Sequence, residues 1–527
     1  MADYRRIADR IAEDIVTGRM KPGDRLPPQR VFARRRGIAG STAGRVYAEL
    51  VRRGLVVGEV GRGTFVRAAP AASTGRALAE PAGSAPVNLE LNYPSVPGQS
   101  ELLATGLAPL LRPDVLTDAL RTAPATGTAA AREAAAGLLA TAGWRPDPRR
   151  FLFAGNARQA IAAALAHLVR PGGRVGVESL TYPLVKEIAG RLGVTLVPLA
   201  TDGEGLRPEA VAAAHRAAPL SAVYAQPTLH NPTSVTMGAG RRAELARVVR
   251  ELDLPVVEDR IWSFLADGDA GADGGGEASR NGGGGGGVGG AGALPPLAAY
   301  APERVFVVDG LSKRVAPGLT VGFLVVPEGR IEGAADALRS GGWVAGRFAL
   351  EAGVRWIGDG TVGRLVAAKR ADAAARQRLV AEHLAGFAVR GDARAYYAWW
   401  ELPEPWRADT FCAAAAERGV AVTPGSAFSV AGVGRGPAAG GPVAGAGWRP
   451  ALGGPVAGRG AEAFAGADRV PPRSLVPPQW HERPRSKRPE EPAASAADCV
   501  RLGLASVPPS VLAGALRTLA DVARGGP

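Results

Sequence analysis

Between residues 151 and 308 short apolar runs alternate with helix-like stretches. The runs are Phe151–Phe153, Arg174–Val177, Thr195–Leu199, Ala222–Ala225, Pro255–Val257 and Val305–Val308, and Gln159–Leu168 and Gly240–Leu252 carry helical spacing between them. Parallel strands need crossover connections, and the helices supply them. The alternation predicts an α/β domain built on a mostly parallel sheet. A chain of 527 residues suits two or three domains, and 46% apolar residues exclude wholesale disorder.

The first 70 residues follow another pattern. They hold 15 Lys+Arg against 7 Asp+Glu, a local excess of +8 out of +14 for the whole chain. Such an excess fits a polyanion partner, DNA first among them, or simply the arginine richness of the whole chain, so the pattern decides. Ile7, Ile11 and Ile15 make one helical stripe. A turn at Lys21-Pro22-Gly23-Asp24 leads to a second helix after Pro27-Pro28. A third helix follows Gly40-Ser41, with Val46, Leu50 and Val51 expected inward. Leu55-Val56-Val57 and Thr64-Phe65-Val66 read as strands around Gly61-Arg62-Gly63. Three helices and a β-wing predict a winged helix-turn-helix.

Several classes drop out. Two cysteines, Cys412 and Cys499, cannot build a disulfide framework or a cysteine-rich zinc module. Charges interrupt the N-terminal stretch MADYRRIADRIAEDIV as a signal peptide, and the longest uncharged stretch, near 282–302, is mostly glycine rather than a membrane span. The expectation is a cytoplasmic protein without a membrane partner. Residues 68–86 read as a linker. Residues 266–294, with a run of six glycines, and 431–495, dense in Gly, Pro, Ala and Arg, read as disordered insertions.

Lysine occurs five times, at 21, 186, 313, 369 and 487. Lys313 lies in Asp309-Gly310-Leu311-Ser312-Lys313-Arg314, directly after an apolar strand, where α/β sheets place ligands. A desolvated lysine there loses its proton more easily and becomes a carbonyl-trapping amine. Asp259 ends another strand and could keep a pyridine nitrogen protonated. Asn231, in His230-Asn231-Pro232-Thr233, could bond a phenolic oxygen; Tyr182 could stack on a planar cofactor. Gly155-Asn156-Ala157-Arg158 joins a strand to a helix, whose N-terminal N–H groups suit a phosphate. Singly, each of these residues is more often a cap or turn residue; together, in this order, they are specific.

Residues 4–67 resemble the GntR-type winged-helix domain, on Gly23-Asp24-Arg25-Leu26-Pro27-Pro28-Gln29-Arg30 and on the wing Gly61-Arg62-Gly63-Thr64-Phe65-Val66. Residues 87–430 and 496–527 resemble a fold-type-I, pyridoxal-phosphate (PLP)-dependent aminotransferase domain. Fused in this order, the two resemble the MocR-type transcriptional regulators. The implied layout is a DNA-binding domain over 1–67, the linker, a large PLP-binding domain over 87–323 and a small C-terminal α+β domain over 324–527.

The resemblance implies that Lys313 joins the cofactor's aldehyde, Asp259 partners its pyridine nitrogen and Asn231 its O3′. It puts Tyr182 by the ring, Asn156, Ala157 and Ser312 around the phosphate, and Arg501 on an effector's carboxylate. Two positions depart from the pattern. Thr320 stands where the family has a phosphate-neutralising arginine, for which Arg158 or Arg314 could substitute. Trp262 replaces the usual tyrosine near O3′.

In the DNA-reading helix Ala39, Gly40 and Gly44 replace polar or basic residues. Ser41 is therefore expected as the cap, Thr42 near the backbone and Arg45 as the groove-facing cation. Arg30, Arg62 and Gly63 remain for phosphate or wing contacts. The implied function is a dimeric regulator that binds a double-stranded operator and senses an amino acid, amine or PLP. An active aminotransferase with an ancillary DNA-binding domain is the alternative.

Overall fold

The structure, a computed structural model, describes residues 4–16, 19–20, 23–52, 55–59, 63–66, 85–266, 294–318, 321–430 and 496–525. The expected linker up to residue 84, almost all of both expected insertions, Arg62 and Thr320 lie outside the described residues.

In the N-terminal domain Tyr4–Val16 is a helix whose Ile11 is buried, with Ile7 and Ile15 packed at the edge of the same core. Gln29–Arg36 and Gly40–Arg52 form the helix-turn-helix. Gly37 turns the chain between them at φ 61°, a left-handed conformation that costs glycine little. The rings of Phe32 and Tyr47 meet edge to face at 5.3 Å and hold the two helices together. Val46 and Leu50 face inward as expected. Val51 does not: it is 48% exposed, because one further residue rotates a helix by about 100° away from its buried stripe. Val56–Glu59 and Gly63–Val66 pair antiparallel as the wing, and Arg25–Leu26 adds an unexpected third strand beside Gly63–Val66.

Seven strands form the large sheet, in the order Phe151–Ala154, Gly322–Val325, Val305–Gly310, Val256–Asp259, Ala222–Ala225, Arg174–Glu178 and Thr195–Leu199. Gly322–Val325 is antiparallel to both neighbours and was not among the expected strands; the other six run parallel to one another. The central strands are buried along their whole length, so both faces are covered and the strands read as continuous apolar runs. A Cβ on Gly322 would stand 2.3 Å from the backbone carbon of Asn156, so only glycine lets this strand pass that loop.

The C-terminal layer is a four-stranded antiparallel sheet in the order Ala388–Arg390, Tyr397–Glu401, Cys499–Gly503 and Thr423–Pro424. Trp400, Phe411 and Trp406 interlock edge to face between this sheet and the helix Ala408–Glu417. Val87–Asn88 pairs with Val420–Ala421, so the chain joins this layer soon after the linker. The long helix Thr361–His383 packs against Arg347–Gly358 of the large layer and against the C-terminal helix Pro509–Gly525. Among the described residues no helix is long and apolar enough to cross a membrane.

Candidate functional site

Parallel strands deliver their C-terminal ends to a common edge, which is where such sheets hold ligands. A cleft of about 890 Å³, its mouth included, lies there, and its walls bring together Asn156, Ala157, Arg158, Tyr182, Asn231, Asp259, Trp262, Ser312, Lys313 and Arg501.

Lys313 sits in a single helical turn after the strand Val305–Gly310, closed by the Val315 N–H on Leu311 O at 2.6 Å. Its Nζ donates to Asn92 O at 2.7 Å and stands 4.1 Å from the Tyr93 ring centroid and 5.1 Å from that of Trp262. Burial, then the positive charges of Arg501, Arg158 and Lys369, push its pKa from 10.5 down to about 7.

Asp259, 3% exposed, accepts from Tyr224 Oη at 2.7 Å, Gln226 Nε2 at 2.8 Å and the Ile261 N–H at 3.0 Å. Burial still raises its pKa above the ordinary carboxylate value, against the pull of these donors. The Gln226 amide also accepts the Asn231 N–H at 3.2 Å, tying the two strand-end residues together. Asn231 Oδ1 is buried and has no hydrogen-bond partner, so it offers an acceptor to a ligand. One strand away, burial lifts Glu178 to about 8 and lowers His230 to about 4. The His230 ring is therefore neutral, one nitrogen facing Leu180 O and the other Thr233 Oγ1.

Asn156 caps the helix Ala157–Leu168, its side chain accepting the Gln159 N–H at 3.0 Å. Arg158 follows in the first turn, exposed along one wall of the cleft. Arg314 cannot share that place. It is 3% exposed, forked onto Asp309 with Nη2–Oδ2 at 3.0 Å, lies over the Phe264 ring, and does not line the cleft. Arg314 is thus already committed to a buried carboxylate, which of the two arginines leaves Arg158 on the cleft wall. Trp262, 5% exposed, stacks among Phe264, Tyr396 and Tyr397. Tyr182 precedes the helix Pro183–Arg191 without a side-chain cap bond, and burial raises its phenol pKa.

Arg501 comes from the strand Cys499–Gly503 and is 2% exposed. Its Nη2 donates to Glu90 O at 2.7 Å and Thr423 Oγ1 at 3.2 Å, while Nε is buried without a partner. Burial lowers its pKa to about 10, which leaves it charged at neutral pH. Sequence reasoning missed Glu90, Asn92, Tyr93, Tyr224, Gln226 and Lys369, which reach the site or its supports through contacts distant in the chain.

On the helix Gly40–Arg52 Ser41 and Arg45 are exposed one turn apart, and Thr42 is half-buried. Ser41 is not the cap: the helix begins at Gly40, and the Ala43 N–H already bonds Ala39 O at 3.1 Å. A small residue at 39 leaves that end without a side-chain acceptor. Arg30 is exposed in the preceding helix, whose last turn carries Arg34, Arg35 and Arg36, all exposed. Gly63 opens the second wing strand at φ 127°.

Residues 116–444 match the family of class I and II aminotransferases, and residues 3–66 match the bacterial regulatory proteins of the gntR family. The uncharacterized HTH-type transcriptional regulator YdeF of Bacillus subtilis is 28% identical over 81% of this chain and 87% of its own length. The HTH-type pyridoxine biosynthesis regulator PdxR of Corynebacterium glutamicum is 25% identical over 61% of this chain and 65% of its own. Among solved structures, the α-aminoadipate aminotransferase LysN of Thermus thermophilus superposes with a TM-score of 0.62 at 20% identity, over 86% of this chain and 95% of that one. The fold is that of a fold-type-I aminotransferase, whose cofactor is PLP. The chain belongs to the class I and II aminotransferase family, and with its GntR-type DNA-binding domain it has the architecture of the MocR-type transcriptional regulators.

Proposed function

We propose that the cleft holds PLP and admits a small amino compound, and that its occupancy governs how a pair of these chains holds an operator. The observation that carries the reading is the convergence on one cleft of a near-neutral amine, a strand-end carboxylate and an unpartnered amide oxygen. In this reading Lys313 presents its amine to the cofactor's aldehyde. Asp259, braced by Tyr224 and Gln226, faces the pyridine nitrogen, and the Asn231 side-chain amide meets the phenolic side, where its N–H can donate to that oxygen, with the Trp262 indole close by. Tyr182 lies along the ring. Asn156, Ala157 and Ser312 surround the phosphate at a helix N-terminus, with Arg158 supplying the positive charge. When bound, PLP supplies an electron-accepting ring. Arg501 receives the effector's carboxylate through its fork, its Nε being free for that purpose. The winged helix enters a major groove with Ser41, Thr42 and Arg45, while Arg30, Arg62 and Gly63 meet backbone or wing positions.

Two arrangements can be switched only by a ligand that binds them unequally. The test is an absorbance titration of the purified protein with PLP, then with candidate amines, alongside a gel shift on its own upstream DNA. A visible band absent from Lys313→Ala and an amine-dependent change in the gel shift are expected. No visible band would sink the reading. The near-neutral Lys313 amine also favours transamination, and steady turnover with several amino acids would establish that activity instead.

A further inference from the structure

The long helix Thr361–His383 carries two buried basic side chains, Lys369 and Arg376, that the proposed chemistry leaves unused. Lys369 has no exposed surface, and its Nζ donates to Lys313 O at 3.0 Å, Arg314 O at 3.0 Å and Val315 O at 2.7 Å. These carbonyls end the turn that bears Lys313. An isolated turn is costly to form and leaves its last carbonyls without partners. One ammonium, with three N–H bonds, satisfies all three of them.

Seven residues along, and so on the same helix face about 10 Å away, Arg376 is 3% exposed. Its Nη1 donates to Leu504 O at 2.5 Å and Val507 O at 2.6 Å, where the chain leaves the strand that carries Arg501. Asp372 accepts from Arg376 Nε at 2.7 Å and from Tyr396 Oη at 2.9 Å, and Tyr396 Oη also reaches Lys369 O at 2.7 Å. One rigid helix thus grips both the turn with the reacting amine and the exit of the strand with the carboxylate anchor.

We propose that this helix is the gauge that fixes the separation of Lys313 and Arg501, with Lys369 the positioning residue for Lys313 and Arg376 the positioning residue for Arg501. The proposal rests on the PLP reading above and adds how its two key groups are held to one spacing.

The test uses the full chain with Lys369→Gln, Lys369→Arg and Arg376→Gln. Three quantities are read: PLP affinity, the protonation midpoint of the PLP–Lys313 linkage from its absorbance, and the affinity ratio of L-alanine to ethylamine. The ratio isolates the grip on a carboxylate. Lys369→Gln keeps donors for two of the three carbonyls, so it folds where a fully apolar substitute would not. It is expected to weaken PLP about tenfold and to raise the midpoint, with the ratio unchanged. The rise follows from removing one of the positive charges that lower the Lys313 pKa. Lys369→Arg restores the midpoint. Arg376→Gln lowers the ratio about tenfold and leaves the midpoint in place. Variants that merely melt earlier, with midpoint, PLP affinity and ratio as in the parent, overturn the proposal. A parent that captures no PLP overturns the reading beneath it as well.

Discussion

Lys313 Nζ and the carbonyl oxygen of Asn92 stand 2.7 Å apart across 221 positions of sequence. The amine therefore has a defined resting place, under the Tyr93 ring and beside Trp262, before any ligand arrives. Aromatic faces and a carbonyl favour its charged form, whereas burial and three neighbouring cations oppose it, and the opposition wins.

The pH dependence of cofactor capture follows. Only the unprotonated amine attacks an aldehyde. Because the Lys313 pKa is pushed from 10.5 down to about 7, the rate of PLP capture rises with pH through about 7 and then levels off. Stopped-flow absorbance between about pH 6 and about pH 9 reads this directly, and a rate still climbing at the upper end would contradict it.

Arg158 and Arg314, close in sequence to the two halves of the phosphate site, should behave oppositely. Arg158→Ala removes an exposed cation from the cleft wall; PLP affinity falls about tenfold and the melting temperature holds. Arg314→Ala strands the carboxylate of Asp309, which has no exposed surface, and costs about 3–5 kcal/mol of stability. Equilibrium PLP titration and thermal melts separate the two outcomes.

Glu178 makes stability fall with rising pH. Its folded-state pKa is raised from 4.5 to about 8, so the folded protein holds a proton that the unfolded chain releases between those values. The contribution is complete below 4.5 and is lost as the pH climbs through about 8. Glu178→Gln keeps the shape and an oxygen for the Gln226 N–H. It should raise the melting temperature by a few degrees at pH 8.5 and change it little at pH 5, roughly.

For the DNA-reading domain, Arg45→Ala should cost about 1–3 kcal/mol of operator affinity and blur sequence preference, since Arg45 projects from the exposed face of its helix. Arg30→Ala should weaken all sequences alike and reduce the slope of log affinity against log salt by about one. Fluorescence anisotropy on operator and scrambled duplexes at several salt concentrations measures both effects.

Much of this was legible in the sequence because burial leaves a local trace. Six of the seven large-sheet strands showed as apolar runs, and Asp259, Asn231 and Lys313 stood just where those runs stop. Gly322–Val325 did not show although it is as apolar as the runs that did, because no helix separates it from Val305–Gly310 and it therefore falls outside the strand–helix alternation. Ser41 misled because a hydroxyl beside glycine looks like a cap, while helix boundaries follow backbone hydrogen bonds. Asn92 and Gln226 left no trace, their roles being set by partners brought in by the fold. Lys369 had one overlooked signal: a rare lysine in an arginine-rich chain, directly after the apolar stretch Leu365-Val366-Ala367-Ala368.

Glu90 and Asn92 follow the strand Val87–Asn88, and the donors on their carbonyls are Arg501 and Lys313. An ammonium brings three N–H bonds, and a nitrogen joined to an aldehyde carbon keeps at most one. A guanidinium that turns to an incoming carboxylate likewise gives up a bond it held before. A guest that draws on both Lys313 and Arg501 thus competes with the carbonyls of Asn92 and Glu90 for the same two donors.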